Sequence, residues 1–386
     1  MKQDQAEVAP VARPGETGHA LADQSGTDWI LNEVEAVKDV ILSEPVEMEH
    51  MVVGDVHGDL SGLKLDLQAA GYIHEQGDWI AGRKVFVQMG DVIDRGPEGR
   101  AADVFLRNLQ TQARQAGGDV VRILGNHELQ FLQAILSIED CDRLRNRMDW
   151  LINGGINLLL ELGLVSETTY VDLLAGVTLM SDYHGAKETS IERDSLIKFK
   201  TLDDFFGDLK TDIANGNIVA AYSAGGRLFI HGGALPHITG EMTIDEVVEY
   251  LNKRLRDAVE RKDFADKIFN IGYSRGGKGD AGIFWADYYR DIRSGKDIVK
   301  QIIGHTPEVR KGSEVRKTIN DKCINVDVGH AEYYGGNRGY LVMKNNVANA
   351  YSLKKVKVPV DTDAITLELP SNLSDPTNEN LVVLDM

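Results

Sequence analysis

Cysteine is nearly absent from this chain: Cys141 and Cys323 are the two in 386 residues, and there is no C-x-x-C pair. A disulfide framework is thereby excluded, and both read as buried free thiols in a reducing compartment. No apolar run approaches membrane length and the first residues have no signal-like apolar core. Neither a spanning helix nor a leader is expected, and the expected location is cytoplasmic. Positive charge is also scarce: 42 Lys and Arg stand against 60 Asp and Glu, a net charge of −18. A surface of that sign repels long polyanions, so a nucleic-acid partner is disfavoured, although a metal-lined pocket could still accept one phosphate. What the chain does have is apolar residues, 42% of the total. That is enough for one large α/β unit carrying an insertion.

Three blocks stand out: Gly54-Asp55-Val56-His57-Gly58, Gly90-Asp91-Val92-Ile93-Asp94-Arg95-Gly96 and Gly125-Asn126-His127-Glu128. Each follows a short β-type apolar run (Met51 to Val53, Val85 to Met89, Val120 to Leu124), so each polar cluster emerges where a buried strand ends and glycines turn the backbone. Between them lie helical patterns, Leu63, Leu67 and Ala70 on one face, then Ala101, Phe105 and Leu109. The order strand, helix, strand, helix, strand predicts a parallel sheet with its site at the strand ends. Asp55, His57, Asp91 and Asn126 are then hard oxygen and imidazole ligands, suited to Mn, Fe, Zn or Co rather than to a thiolate-type site. One carboxylate shared between two cations is an economical way to hold a metal pair, and Asp91 is the bridging candidate. Any one block alone is as readily an acidic turn or a helix cap; three in order are not.

These three blocks resemble those of the calcineurin-like metallophosphoesterases, in particular the phosphoprotein phosphatase branch, whose second block ends in Asp-Arg-Gly and third in Asn-His-Glu. Two further signatures agree, His231-Gly232-Gly233 and Gly304-His305-Thr306. Trp79 to Arg95, Gln112 to Gly118 and the Gly-His-Thr block are most similar to the Shewanella-like protein phosphatases. The resemblance spans roughly Met51 to Tyr351 and implies a metallophosphoesterase fold, an αββα-type sandwich with central mixed sheets. It implies that His231 and His305 complete the second metal and that Arg275, in Ser274-Arg275-Gly276-Gly277, is a second phosphate-clamping arginine beside Arg95. It puts Tyr334, in Tyr333-Tyr334-Gly335-Gly336, near a loop overlooking the metals.

Along the chain, residues 1–27 are polar and aperiodic and read as a mobile arm. Trp29, Ile30, Val34, Val37 and Ile41 fall at helical spacing, closed by Pro45. The phosphatase domain covers 28–355 and contains a mainly helical insertion at about 139–215, longer than the related proteins carry. This is read as a cap beside the site, with a purely structural extension as the alternative. Thr243 and Glu246 are spaced as a capping box before an amphipathic helix. Strands are expected over Cys323 to Val328, Gly339 to Lys344 and Val347 to Ser352, and 356–386 reads as a tail. His19, His50, His74, His184 and His237 lack the strand-end glycine context and read as surface or packing residues; His330 stays ambiguous.

The expected chemistry is hydrolysis of a phosphate monoester by a hydroxide bridging two divalent cations, Mn2+ first, with Fe, Zn or Co as alternatives. Arg95, Asn126 and Arg275 bind the phosphate, and His127, paired with Asp94, protonates the leaving oxygen, the carboxylate lifting the imidazole pKa. The substrate is a phosphorylated protein or peptide, with phosphotyrosine preferred because Phe284, Trp285, Tyr333 and Tyr334 offer aromatic walls. A dinucleoside polyphosphate hydrolase and a non-catalytic phosphate-binding module are the rival readings. The first usually carries His-Ala-Gly where this chain has His231-Gly-Gly.

Overall fold

The computed structural model describes residues 20–22, 28–31, 40–136, 149–164, 203–271, 280–293, 296–307, 316–317 and 322–356. Within them, strands β1 (Ala20–Ala22), β2 (Asp28–Leu31), β3 (Val40–Val53), β4 (Val85–Gln88), β5 (Asp119–Ile123), β6 (Ile218–Val219) and β12 (Arg338–Val356) form one sheet in the order β1-β2-β12-β3-β4-β5-β6. Strands β7 (Ala221–Ala224), β8 (Arg227–Ile230), β9 (Gln301–Ile303), β10 (Arg316–Lys317) and β11 (Cys323–Asn325) form a second, β10-β11-β9-β8-β7. The chain passes from one sheet to the other at Ala220, between β6 and β7.

Strand alternation is what makes this a layered sandwich. Successive side chains point to opposite faces, so Val52, Val85, Val87, Val121 and Ile123 enter a core shared with Phe229, Ile302 and Ile324 of the second sheet. Met51, Val53, Phe86 and Val120 face the other way, against α1 (Leu60–Ala69) and α2 (Gly99–Gln115) through Leu63, Leu67, Ala102, Leu106 and Leu109. The second sheet turns Leu228, Ile230, Ile303 and Cys323 to a third core with α3 (Asn126–Leu136) and the capped helix Ile244–Arg261, whose capping box is formed by Thr243 and Glu246. The layers are thus helix, sheet, sheet, helix. β3, β4, β5 and β6 run parallel, as do β8, β9 and β11, while β12 runs antiparallel to β3 and β2.

Several sequence-based expectations change. The helix expected around Trp29 to Ile41 is not formed where it is described: Asp28–Leu31 is a strand, and β3 begins at Val40. β-branched and aromatic residues there find pairing partners in β12, and tertiary pairing overrides a helical spacing. The two strands expected in 339–352 are one, β12, with register shifts on either side of Asn345, which has a left-handed φ of 53°. On α2 the buried face is Ala102, Leu106, Leu109 and Ala113: Leu109 is buried as expected, whereas Ala102 and Leu106 take the places expected for Ala101 and Phe105, and Phe105 is only partly buried. In the N-terminal arm, Ala20–Ala22 is a strand edge on β2; the remainder of 1–19 and 23–27, like the tail from 357, lies outside the described residues.

The insertion bears most on function. Its described parts are 149–164 and 203–215, and they supply Trp150, Leu151, Ile156, Leu158, Leu159, Phe205, Leu209 and Ile213 to the same core as Leu124, Phe131 and Leu132. The described parts of 139–215 are therefore packed into the core of the domain. Replacing Leu209, 1% exposed, by alanine is expected to cost about 2–5 kcal/mol, the scale expected for Leu132→Ala. Urea denaturation of the two variants checks this; a loss within about 0.5 kcal/mol for Leu209→Ala, typical of surface positions, would contradict its place in the shared core.

Candidate metal centre

All the expected ligands lie just past strand ends. Asp55 and His57 follow β3, Asp91 follows β4, Asn126 follows β5, His231 follows β8 and His305 follows β9. The loops must fold back tightly to bring these side chains together. Among the described residues, eight non-glycine residues have positive φ, and five of them are here: His57, Asp91, Asp94, Arg95 and His305. Backbone strain of this kind persists only where surroundings over-determine it. Glycine supplies the room: a Cβ on Gly125 would sit 2.1 Å from the Asp91 amide nitrogen, and one on Gly90 would sit 2.6 Å from Gly125. The two loops are further tied by Glu128, whose carboxylate accepts hydrogen bonds from the amides of Asp91 (3.0 Å), Val92 (2.8 Å), Ile93 (3.1 Å) and Gly125 (3.0 Å).

Hydrogen bonds assign the histidine tautomers. A carbonyl can only accept, so His57 Nδ1 donates to the Ile93 carbonyl (3.2 Å) and His231 Nδ1 to that of Met89 (2.8 Å). Both Nε2 atoms then face inward. His57 Nε2 lies 3.6 Å from Asp91 Oδ2, and His231 Nε2 lies 3.4 Å from Asp91 Oδ1. Asn126 Oδ1 stands 2.9 Å from His231 Nε2 and 2.7 Å from His305 Nδ1, while Asp55 Oδ2 is 3.9 Å from His57 Nε2. Among the described residues, two groupings have potential ligand atoms within 4.8 Å of one another, Asp91 with His231 and His305, and Asp91 with His57 and His127. Asp91 belongs to both.

The centre is strongly acidic. Asp55, Asp91, Asp94, Glu128 and Asp327 are all buried. Burial, then Asp327 and Asp91, push the Asp55 carboxyl well above its usual range. Burial lifts Glu128 and Asp327 to about 7, each with Asp91 adding to the rise. Burial works on Asp91 too, but His231, His127 and His57 hold it well below the ordinary value. Carboxylates packed this closely need protons or cations among them. The donor set itself suits divalent cations: converging oxygens and imidazole nitrogens whose negative charge such ions would balance.

The expected acid pair is present, His127 Nδ1 lying 2.8 Å from Asp94 Oδ2. The expectation that Asp94 lifts the imidazole is not met by the protein groups alone. Burial pushes His127 well below its usual value, and burial, with Glu128 beside it, pushes Asp94 well above. The reason is that both are desolvated, which favours neutral partners. A neutral imidazole beside a protonated carboxyl carries the same number of protons as an imidazolium beside a carboxylate, so the pair as a unit keeps its transferable proton.

Arg95 places its guanidinium 4.7 Å from the Tyr333 ring centre and 5.2 Å from that of Tyr334. Tyr334 also stands 5.5 Å from the His57 ring. Arg275 lies outside the described residues. Of the expected aromatic walls, Phe284 is 0% exposed and stacks on Phe269 in the core, so it lines no pocket; Trp285 is buried with its ring edge toward His305. Of the histidines set aside, His50 bonds the Met48 carbonyl and Tyr222, His237 is exposed, and His19 and His184 lie outside the described residues. His330 is buried 3.0 Å from Asp66 of α1. Sequence reasoning gave no role to Glu128, Asp327 or Trp150. Asp327 carries the same signal as the blocks, an acid just after a strand (β11), whereas Trp150 carries no local signal.

Strand-end carboxylates and imidazoles between two mixed sheets define a metallophosphoesterase. The family model described as calcineurin-like phosphoesterase matches residues 48–335. The chain belongs to that family and is a hydrolase of phosphoesters, which implies divalent metal ions. It is 24% identical over 303 residues to Shewanella-like protein phosphatase 2 of Arabidopsis thaliana, covering 72% of this chain and 70% of that protein. It is 42% identical over 78 residues to Shewanella-like protein phosphatase 1 of Plasmodium berghei, covering 20% and 22%. Among solved structures, the cold-active protein-tyrosine phosphatase of a psychrophile Shewanella species is similar at 19% identity, covering 89% of this chain and 99% of that one, with a TM-score of 0.47.

The buried acids make stability depend on pH and on metal. By about pH 6.5 the unfolded chain has released the protons of Glu128 and Asp327, whose ordinary values are 4.5 and 3.8, while the folded chain still holds part of them. Raising the pH to about 8 strips them from the folded state alone, so stability falls. His231, which burial would lower but Asp91 raises, acts in the same direction; His57, pushed down by burial to about 4, and His127, pushed well below its usual value, are neutral when folded but part-protonated when unfolded at about pH 6.5, so they act in the opposite direction and offset part of the carboxyl contribution. Chelator-treated protein should melt at a lower temperature at about pH 8 than at about pH 6.5, and added Mn2+ should close the gap. An equal or higher Tm at the upper pH would contradict this reading of the cluster.

Proposed function

We propose that this hydrolase is a dinuclear metal-dependent phosphomonoesterase acting on phosphorylated proteins or peptides, with phosphotyrosine preferred. The observation that carries the dinuclear reading is the division of Asp91: one oxygen faces His57 and the other His231, and both imidazoles turn their free nitrogen to it. One ion would be held by Asp55, His57 and Asp91, the other by Asp91, Asn126, His231 and His305. Mn2+ suits this set, with Fe, Zn or Co as alternatives. When bound, such a pair supplies Lewis acidity and a nucleophilic water at neutral pH.

The chain's own groups do the rest. Arg95 and Asn126, with Arg275, orient and neutralise the phosphate; Tyr333 and Tyr334, nearly perpendicular to one another, both stand against the Arg95 guanidinium. His127 gives a proton to the leaving oxygen and Asp94 orients its ring. Protein substrates are supported by the names of the Arabidopsis and Plasmodium relatives. The tyrosine preference rests on Tyr333, 70% exposed, and Tyr334, partly buried, standing around Arg95. A phosphotyrosine ring can bury apolar area there that phosphoserine lacks, worth roughly 1–2 kcal/mol at about 25 cal/mol per Å². A cytoplasmic setting belongs to the same proposal, supported by the two cysteines and the buried Cys323 thiol.

Matched phosphotyrosine, phosphoserine and phosphothreonine peptides and diadenosine tetraphosphate should therefore differ in kcat/KM, with phosphotyrosine ahead of phosphoserine by about 5–30-fold and the dinucleotide poor. A phosphoserine preference overturns the tyrosine assignment alone, and a strong dinucleotide preference overturns the protein-phosphatase reading. Asp91→Asn should lose both turnover and binding of two metals, since the carboxylate serves both ions; retention of two metals at near-normal rate would remove its bridging role.

A further inference from the structure

The insertion contributes more than core. Trp150, fully buried with its ring edge-on to Phe131 at 5.3 Å, directs its indole Nε1 at the Asp94 carboxyl, 3.0 Å from Oδ2 and 3.2 Å from Oδ1. Asp94 Oδ2 in turn meets His127 Nδ1 at 2.8 Å. We infer that Trp150 is a positioning residue for the acid pair: its N–H fixes the plane of the Asp94 carboxyl so that Oδ2 faces His127 and the opposite imidazole nitrogen faces the reacting centre. The inference rests on the proposed role of His127 as the proton donor.

Three features support it. An indole N–H is a donor only and carries no charge, so it orients the carboxyl without competing with the metal-site cations. The site is shaped for this ring: a Cβ on Gly155 would fall 2.2 Å from the indole, so a side chain at 155 would displace it. The same short segment also grips the next residue. The amide of Arg95 donates to the Gly154 carbonyl at 3.3 Å, and the Asn157 side chain donates to the Arg95 carbonyl. Gly154 has φ 111°, and a Cβ there would be 2.8 Å from the Arg95 nitrogen. Asp94 and Arg95 both have left-handed backbone, at φ 69° and 64°, a conformation that needs outside support for residues other than glycine. Residues 150–157 thus hold side chain and backbone of the Asp94-Arg95 pair, from a part of the chain outside the motif blocks that carry the proposed ligands.

A tryptophan that only fills space and one that positions the acid differ in which substrates suffer when the N–H is removed. Protonation matters for a phenolate leaving group and little for nitrophenolate. The test is kcat and KM for phenyl phosphate and 4-nitrophenyl phosphate with Trp150→Phe, and with Trp150 replaced by 3-benzothienylalanine, which keeps the ring volume and puts sulfur in place of the N–H. His127→Ala is measured in parallel on the metal-loaded enzyme. The expected result is a fall in kcat for phenyl phosphate of about 10–100-fold, under about threefold for the nitrophenyl ester, with KM unchanged, in both Trp150 variants. Equal losses on the two esters, or no loss with the benzothienyl analogue while His127→Ala stays selective, overturn the role of Trp150 alone. An unselective His127→Ala overturns the proton-donor reading and this inference with it.

Discussion

Five carboxylates buried around one point are the constraint on which the rest of this structure depends. Asp55, Asp91, Asp94, Glu128 and Asp327 have left water, and each ion so buried costs several kcal/mol unless something compensates it. The compensation visible in the chain is partial. Backbone amides serve Glu128 and Asp55, and His231, His127 and His57 serve Asp91. Divalent cations complete it, which is why a centre of this composition is coupled to metal in its folding as well as in its chemistry.

Holding those groups together consumes local backbone energy that the two sheets supply. The strand ends are fixed by alternating apolar residues that fill three cores at once. Loops so anchored can carry His57, Asp91, Asp94, Arg95 and His305 in left-handed conformations and can pack Gly90 directly on Gly125. Function then sits on strained loops between rigid strands, a division of labour that lets chemistry and stability be specified by different residues.

The candidate site was legible in the sequence where a polar residue sits beside a glycine at the end of a β-type run: Asp55, His57, Asp91, Asn126, His231 and His305 all lie past strand ends, and their polar atoms approach one another. The α/β class was legible for the same reason, since apolar runs of strand length alternate with helical spacing. What was hidden depends on long-range pairing. Trp29 and Ile30 have helical spacing but pair with β12 from the far end of the chain. Phe284 was expected as an aromatic pocket wall, yet it stacks on Phe269 in the core. Trp150 could not be read at all, because its partner Asp94 is 56 positions earlier and its own neighbourhood carries no motif.

In the proposed dinuclear centre one carboxylate, Asp91, is shared by two metal ions. Electron paramagnetic resonance of the protein reconstituted with Mn2+ tests it most directly, because ions bridged about 3.5–4 Å apart are spin-coupled. Two Mn2+ per chain are expected, with a coupled spectrum that collapses to an isolated-ion signal in Asp91→Asn. A single uncoupled Mn2+ per fully active chain would contradict it.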